Sequence, residues 1–297
     1  MLSSYSSKSS RTLDRRSSPV HSSNPTNSRS NGPLDSRIAL ITGASAGIGY
    51  DCALHLASLG ARLILNARRE SKLTELAQRL DDQYPMSDGS ARSVSVAGDA
   101  ADQSVIDEMM DASTQLAPNS AQTPDIVVVN AGRGLNGSVM TSDTTQWEEM
   151  VRVNLLGAAR LIRTAGNALT ALQDSREWPD GGAADLVVLG STVGRHISPF
   201  SSMYGSTKFA VNSLAEAARR ELGPKGVRVS LIEPGIVKSE FQQVAGYDEG
   251  KFGDLMDTIS PVLTPMDIAQ TIGFIVSQPA GVHISDAVIR PTRQEYP

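Results

Sequence analysis

A chain of 297 residues, 40% hydrophobic and 20% charged, can bury one sizeable core, and α/β folds of about 250 residues commonly form a single domain. The formal charge of -5 argues against a nucleic-acid or membrane-surface partner. The lone cysteine, Cys52, excludes an internal disulfide, and His21, His55, His196 and His283 share no ligand spacing with cysteines or carboxylates, so no metal is expected.

Residues 1–36 pair serines with Pro19, Pro25 and Pro33 and hold few large apolar residues, a composition that cannot offset its ordering entropy. A disordered tail is expected there. Its Ser and Arg content also describes an organellar transit peptide, but no amphipathic helix is evident. The expected location is therefore cytoplasmic, with mitochondrial import the lesser expectation. No apolar run suits a secretory signal or a membrane span.

From residue 37 onward strands and helices alternate. Strands are expected near 38–42, 62–66, 92–97, 125–129, 184–190, 227–232 and 286–290, with helices between. Ile126-Val127-Val128-Val129 and Leu186-Val187-Val188-Leu189 are apolar on both faces, as buried parallel strands are. Repeated β-α units predict a doubly wound parallel sheet, Rossmann-type, with ligands at the carboxyl edge of the strands. The stretches Ala117 to Pro124 and Ser175 to Ala183 read as exposed loops.

The first strand breaks into Thr42-Gly43-Ala44-Ser45-Ala46-Gly47-Ile48-Gly49 and resumes at helical spacing, the pattern of a pyrophosphate site at a helix N-terminus. Gly43 permits the tight turn, Gly47 lets backbone approach phosphate, and Gly49 lets helix and strand pack closely. Cys52 falls on the apolar face of that helix and reads as core. Further on, Tyr204 and Lys208 stand four residues apart, neighbours on one helix face. A cation beside a phenol favours the phenolate and moves its pKa from about 10 toward the working range. Alone, the pair could equally be polar helix surface.

Taken in order, Thr42-Gly43-x-x-x-Gly47-x-Gly49, Asn130-Ala131-Gly132, Asn154, Ser191, Tyr204-x-x-x-Lys208 and Pro234-Gly235 resemble the short-chain dehydrogenase/reductase family over residues 37–297. The resemblance implies hydride transfer between a nicotinamide and a carbonyl or alcohol carbon. It implies Tyr204 as proton donor and acceptor, Ser191 as hydrogen-bond partner of the reacting oxygen, and Lys208 as the group that lowers the tyrosine pKa and holds the nicotinamide ribose. Asn154 would position a water linking Lys208 to solvent, or simply kink its helix. Cofactor contacts carry over to Gly43, Ser45, Gly47, Ile48, Gly49, Asn130, Ala131, Gly132, Pro234, Gly235, Val237 and Ser239, together with Tyr204 and Lys208. Val129 stands where the family more often has a second Asn. Asp99 matches an adenine-contacting acid, although capping a helix from residue 102 is an equal use for it.

Cofactor choice rests on Asn66-Ala67-Arg68-Arg69. An NAD site commonly places a carboxylate here for the ribose 2′-hydroxyl; Ala67 takes that position and Arg68 follows, which favours NADP(H) unless Arg68 and Arg69 merely open a solvated helix. Relatives often carry another basic residue in the glycine loop, where this chain has Ala46. Residues 239–264 are expected to form a mobile lid with Phe241, Tyr247, Phe252, Leu255 and Met256 over the pocket, and His196 is at most a pocket residue. Ile232-Glu233-Pro234-Gly235 and the C-terminal run resemble the clavulanate-aldehyde reductase and NADP-dependent 3-hydroxy acid dehydrogenase branch. That branch implies an aldehyde, ketone or 3-oxo/3-hydroxy acid as small-molecule partner. The family also implies a homodimer or homotetramer through the helices near Trp147 to Leu172 and Ser202 to Leu222. Two alternatives remain: an epimerase or dehydratase, for which too few residues follow Gly235, and a non-catalytic NADP(H)-binding redox sensor.

Overall fold

The computed structural model describes residues 32–116 and 123–296, and its compact unit is Gly32–Pro297. The expectations for residues 1–31, a disordered tail with or without a targeting role, and for the 117–122 part of the first loop lie outside the described residues. Packing begins ahead of the expected boundary at residue 37: Leu34 is fully buried and its N–H donates to the Leu59 carbonyl at 3.0 Å.

Seven strands, β1 (Ile38–Thr42), β2 (Arg62–Ala67), β3 (Ser93–Ala97), β4 (Ile126–Val129), β5 (Ala184–Leu189), β6 (Val227–Pro234) and β7 (Asp286–Ile289), form one sheet in the order β3-β2-β1-β4-β5-β6-β7. Every pairing is parallel. Because strand side chains alternate, Ala39, Ile41, Ile126, Val128, Val187 and Leu189 enter one core layer while Ile38, Leu40, Val127, Val129, Leu186 and Val188 enter the other. The first layer is closed by helices α1 (Gly47–Ser58) and α6 (Pro265–Val276), and the second by α4 (Ala158–Asp174) and α5 (Ser202–Leu222). Between them in the chain, α2 (Glu70–Gln83) and α3 (Gln103–Asp111) cover the β2–β3 end. Cys52 lies in the first layer with no exposure, its thiol pushed up to about 12 by burial.

The chain winds outward from β1 in both directions, so the sheet has a switch point between β1 and β4 where neighbouring loops diverge and leave a crevice. At the opposite, amino edge, Arg37 and Arg228 converge on buried Asp185 at 2.9 and 2.7 Å, and Arg37 also reaches Asp125 at 3.0 Å. Arg228 further donates to the carbonyls of Val276, Gln278 and Val282, tying the end of α6 to the sheet.

One element runs past its expected end. β6 continues through Glu233 and Pro234 because β7 pairs with it as far as Pro234↔Ile289. The expected lid segment holds two helices, Phe241–Val244 and Glu249–Thr258.

Candidate active site

The switch-point crevice is a cavity of about 1530 Å³ at the carboxyl edge of the strands. Thr42, fully buried at the end of β1, holds its two walls together. Its hydroxyl donates to the Val128 carbonyl at 3.2 Å and accepts from the N–H groups of Asn130 and Ala131, each at 3.0 Å. Asn130 returns a bond from Nδ2 to the Thr42 carbonyl at 2.8 Å. Thr42 is thus a positioning residue that motif matching alone did not assign a task.

The glycine turn leaves room where side chains would not fit. Gly43 has φ 70° and a Cβ there would meet Asn130 Nδ2 at 2.8 Å; at Gly49 a Cβ would lie 2.4 Å from the Gly43 carbonyl oxygen. Gly47 is left-handed as well, at φ 57°, and faces Ser239. α1 begins there with extended Ala46 as its N-cap, no side-chain cap and no acid in the first turn. Its first N–H groups and positive dipole end therefore suit an anionic pyrophosphate. These residues fit a dinucleotide.

Past the end of β2, Arg68 lines the cavity, and Arg69 bends back to the glycine turn, donating from Nε and Nη2 to Ser45 Oγ at 3.2 and 3.1 Å. Arg69 thus brings a cation to the glycine turn, where the loop sequence has Ala46. Asn66, also lining the cavity, donates to the Val96 carbonyl at 2.9 Å while its buried Oδ1 has no partner. Asp99 lines the cavity too, but not as a cap for α3: it accepts from the Ala101 N–H at 2.9 Å and pairs with Arg152, whereas the N-cap of α3 is Asp102. The helix-cap expectation is corrected accordingly. A one-residue turn satisfies Asp99, and Arg152 neutralises it.

Ser191 at the end of β5 and Tyr204 and Lys208 on α5 meet on the cavity wall. The Tyr204 ring stands 5.5 Å from that of Phe241 in the lid, and Ser191 is near enough to favour its phenolate. Lys208 lies 7% exposed with Nζ 5.9 Å from the Tyr204 ring centroid, donating to the Leu189 carbonyl at 2.6 Å. Burial dominates both groups. It pushes the phenol above its ordinary value, against the opposing influence of Ser191, and pushes the ammonium down to about 8.

Asn154 sits behind this pair in a π-helical turn, Arg152–Gly157. Its Oδ1 accepts from the Arg133 N–H at 2.8 Å, and Nδ2 donates to the Arg133 carbonyl at 2.8 Å and to Thr207 Oγ1 at 3.1 Å. The side chain thus clamps the loop after β4 against α5, and the π-turn turns it inward.

The far wall is the turn after β6. Pro234, Gly235, Val237 and Ser239 line the cavity, as do Ala131 and Gly132, and the turn is braced by Gln294, whose Oε1 accepts from the Ile236 N–H at 2.9 Å. A Cβ on Gly235 would come 2.4 Å from that oxygen, a contact between distant segments with no local signal. The lid is tied to the loop after β4: Asn136 donates from its backbone and Nδ2 to the carbonyls of Ala245 and Gly246 at 2.9 and 3.2 Å. Phe200, Phe241, Tyr247, Phe252, Leu255 and Ile259 make the region beside Tyr204 largely apolar. His196 is not part of it; it is exposed and contacts Arg290 at 3.0 Å. Among the described residues no group of three or more His, Cys, Asp or Glu is placed to hold a metal.

A crevice with a glycine turn at one end and a Ser-Tyr-Lys cluster at the other is the setting in which the family comparison becomes decisive: residues 37–250 match the model described as short chain dehydrogenase. The chain belongs to the short-chain dehydrogenase family. Sulfoacetaldehyde reductase 2 of Chromohalobacter salexigens is 32% identical over 263 residues, covering 88% of this chain and 96% of that one. Among solved structures, an alcohol dehydrogenase from the archaeon Thermococcus sibiricus complexed with 5-hydroxy-NADP superposes with TM-score 0.71 at 25% identity, over 88% of this chain and 99% of that one. The closed form of a serine dehydrogenase complexed with NADP+ superposes with TM-score 0.71 at 26% identity, over 87% and 96% of the two chains. This short-chain dehydrogenase is therefore an oxidoreductase of the carbonyl and alcohol class, with a nicotinamide dinucleotide as its cofactor. Among its described residues no helix is long and apolar enough to cross a membrane.

Proposed function

We propose that this short-chain dehydrogenase is an NADP(H)-dependent reductase of a small aldehyde, ketone or 3-oxo acid. The observation that carries the reading is the meeting of Ser191, Tyr204 and Lys208 on the wall of a cavity that runs to Arg68 and Arg69. A bound nicotinamide cofactor supplies the hydride. Tyr204 gives its proton to the carbonyl oxygen, and Ser191 donates to the same oxygen as charge develops there. Lys208 holds the ribose hydroxyls and offers a proton to refill the phenol. The glycine turn and the start of α1 bind the pyrophosphate, Arg68 and Arg69 the 2′-phosphate, and Asp99 the adenine side of the cleft. Support for NADP(H) also comes from the two solved relatives carrying NADP-type cofactors.

A panel of aldehydes, ketones and 3-oxo acids, assayed for NADPH and NADH consumption, tests this reading. NADPH should be consumed more efficiently than NADH with at least one compound class. Binding of NADPH without consumption by any carbonyl or release to any alcohol would instead identify a redox sensor, and equal efficiency with both cofactors would remove the NADP(H) preference.

A further inference from the structure

Three segments distant in sequence bring a hydroxyl, a guanidinium and a carboxylate to one point on the cofactor end of the cavity. Ser45 comes from the glycine turn, Arg69 from the end of β2 and Glu240 from the root of the lid, and all three line the cavity. Arg69 donates from Nε and Nη2 to Ser45 Oγ and from Nη2 to the Ser45 carbonyl at 3.4 Å, while its Nη1 lies 3.2 Å from Glu240 Oε2. Glu240 precedes the helix Phe241–Val244, and its neighbour Ser239 faces Gly47 across the cleft. The carboxylate therefore spans the crevice from lid to turn.

Glu240 takes the Nη1 donor of Arg69, which an oxygen of a phosphate monoester would also use, so the two anions compete for one cation. The pair is also readily exchanged. Its side chains are 48% and 60% exposed, and exposed ion pairs of this kind hold weakly. A carboxylate that stays nearby after displacement still repels a dianion.

We propose that Glu240 is a cofactor-specificity residue: an internal competitor that occupies Arg69 and weakens binding of 2′-phosphorylated dinucleotides while leaving 2′-hydroxyl dinucleotides unaffected. This rests on the NADP(H) reading above, with Arg69 as a 2′-phosphate contact. Its removal widens the preference for NADP(H), an effect that a purely structural role in the lid would not confine to one cofactor.

The test is titration of the full chain and its Glu240→Gln, Glu240→Ala, Arg69→Ala and Arg69→Ala/Glu240→Gln variants with NADPH, NADH, 2′,5′-ADP and 5′-AMP. Both Glu240 variants should bind NADPH and 2′,5′-ADP about two- to tenfold more tightly, with NADH and 5′-AMP unchanged within about twofold. The gain should vanish when Arg69 is absent. Unchanged 2′,5′-ADP affinity, an equal gain for 5′-AMP, or a gain that survives Arg69→Ala each overturns the proposal. The underlying reading is scored separately on the parent chain. If the parent binds NADPH no better than NADH, a preference that emerges only in Glu240→Gln upholds the competitor, and none in either sinks both.

Discussion

Tyr204 and Lys208 show how the same two side chains acquire different chemistry once they are buried. At i and i+4 in water an ammonium favours a phenolate, but here desolvation drives each group toward its neutral form. A protonated phenol suits carbonyl reduction. Reduction should accordingly decline as pH rises through about 8, where Lys208 loses its charge and can no longer resupply the proton. The check is kcat/KM for reduction against pH; a limb absent up to about pH 10 would take Lys208 out of the proton path. Tyr204→Phe should lower turnover by at least about 100-fold and leave NADPH affinity within about twofold, since only the proton donor is removed. Retention of most activity in that variant would shift the acid elsewhere. Asn154 adds a case at this scale. Its motif position allowed a water-positioning amide or a helix-kink residue bonded to backbone, and its hydrogen bonds to the Arg133 backbone and Thr207 from a π-turn fit the second use, with partners invisible until loop and helix met.

Among the elements, the strands were the most legible because parallel strands buried on both faces leave unbroken aliphatic runs, as Ile126–Val129 does. The glycine turn was legible for a different reason: Gly43 and Gly47 have positive φ, and Gly49 abuts the Gly43 carbonyl, so side chains are excluded at fixed intervals. The bounds of the lid helices were not legible, since Glu249–Thr258 carries two glycines and several acids and shows no strong apolar stripe. The end of β6 was missed because Pro234 cannot announce a strand by itself; pairing with β7 decides it. The amino edges of β5 and β6 carry a further consequence. Asp185 is held between Arg37 and Arg228, all three largely buried, so Asp185→Asn should cost about 3 kcal/mol or more by leaving Arg228 without a carboxylate, while Arg37 keeps Asp125. Denaturant unfolding measures it, and a change below about 1 kcal/mol would mean that the carbonyls around Arg228 suffice.

At the scale of the whole molecule, the exposed Leu156 and Phe209 lie on the helices that the family resemblance assigns to self-association, and exposed Val288 lies in β7. Light scattering on the purified chain should give a dimer or tetramer, and Phe209→Glu should lower the observed mass by opposing burial of those helices. A monodisperse monomer for the parent chain would remove this expectation. The sequence by itself determined the alternation of strands and helices, the glycine turn, the Ser191, Tyr204 and Lys208 set and the absence of an acid at Ala67, because each depends on local periodicity, backbone conformation or residue type. Only the tertiary structure decided that Arg69 reaches Ser45, that Glu240 meets it from the lid, that Gln294 braces the turn after β6 and that burial governs the Tyr204 phenol. Those contacts join residues far apart in the chain, and dielectric surroundings belong to the packed molecule and not to any segment of it.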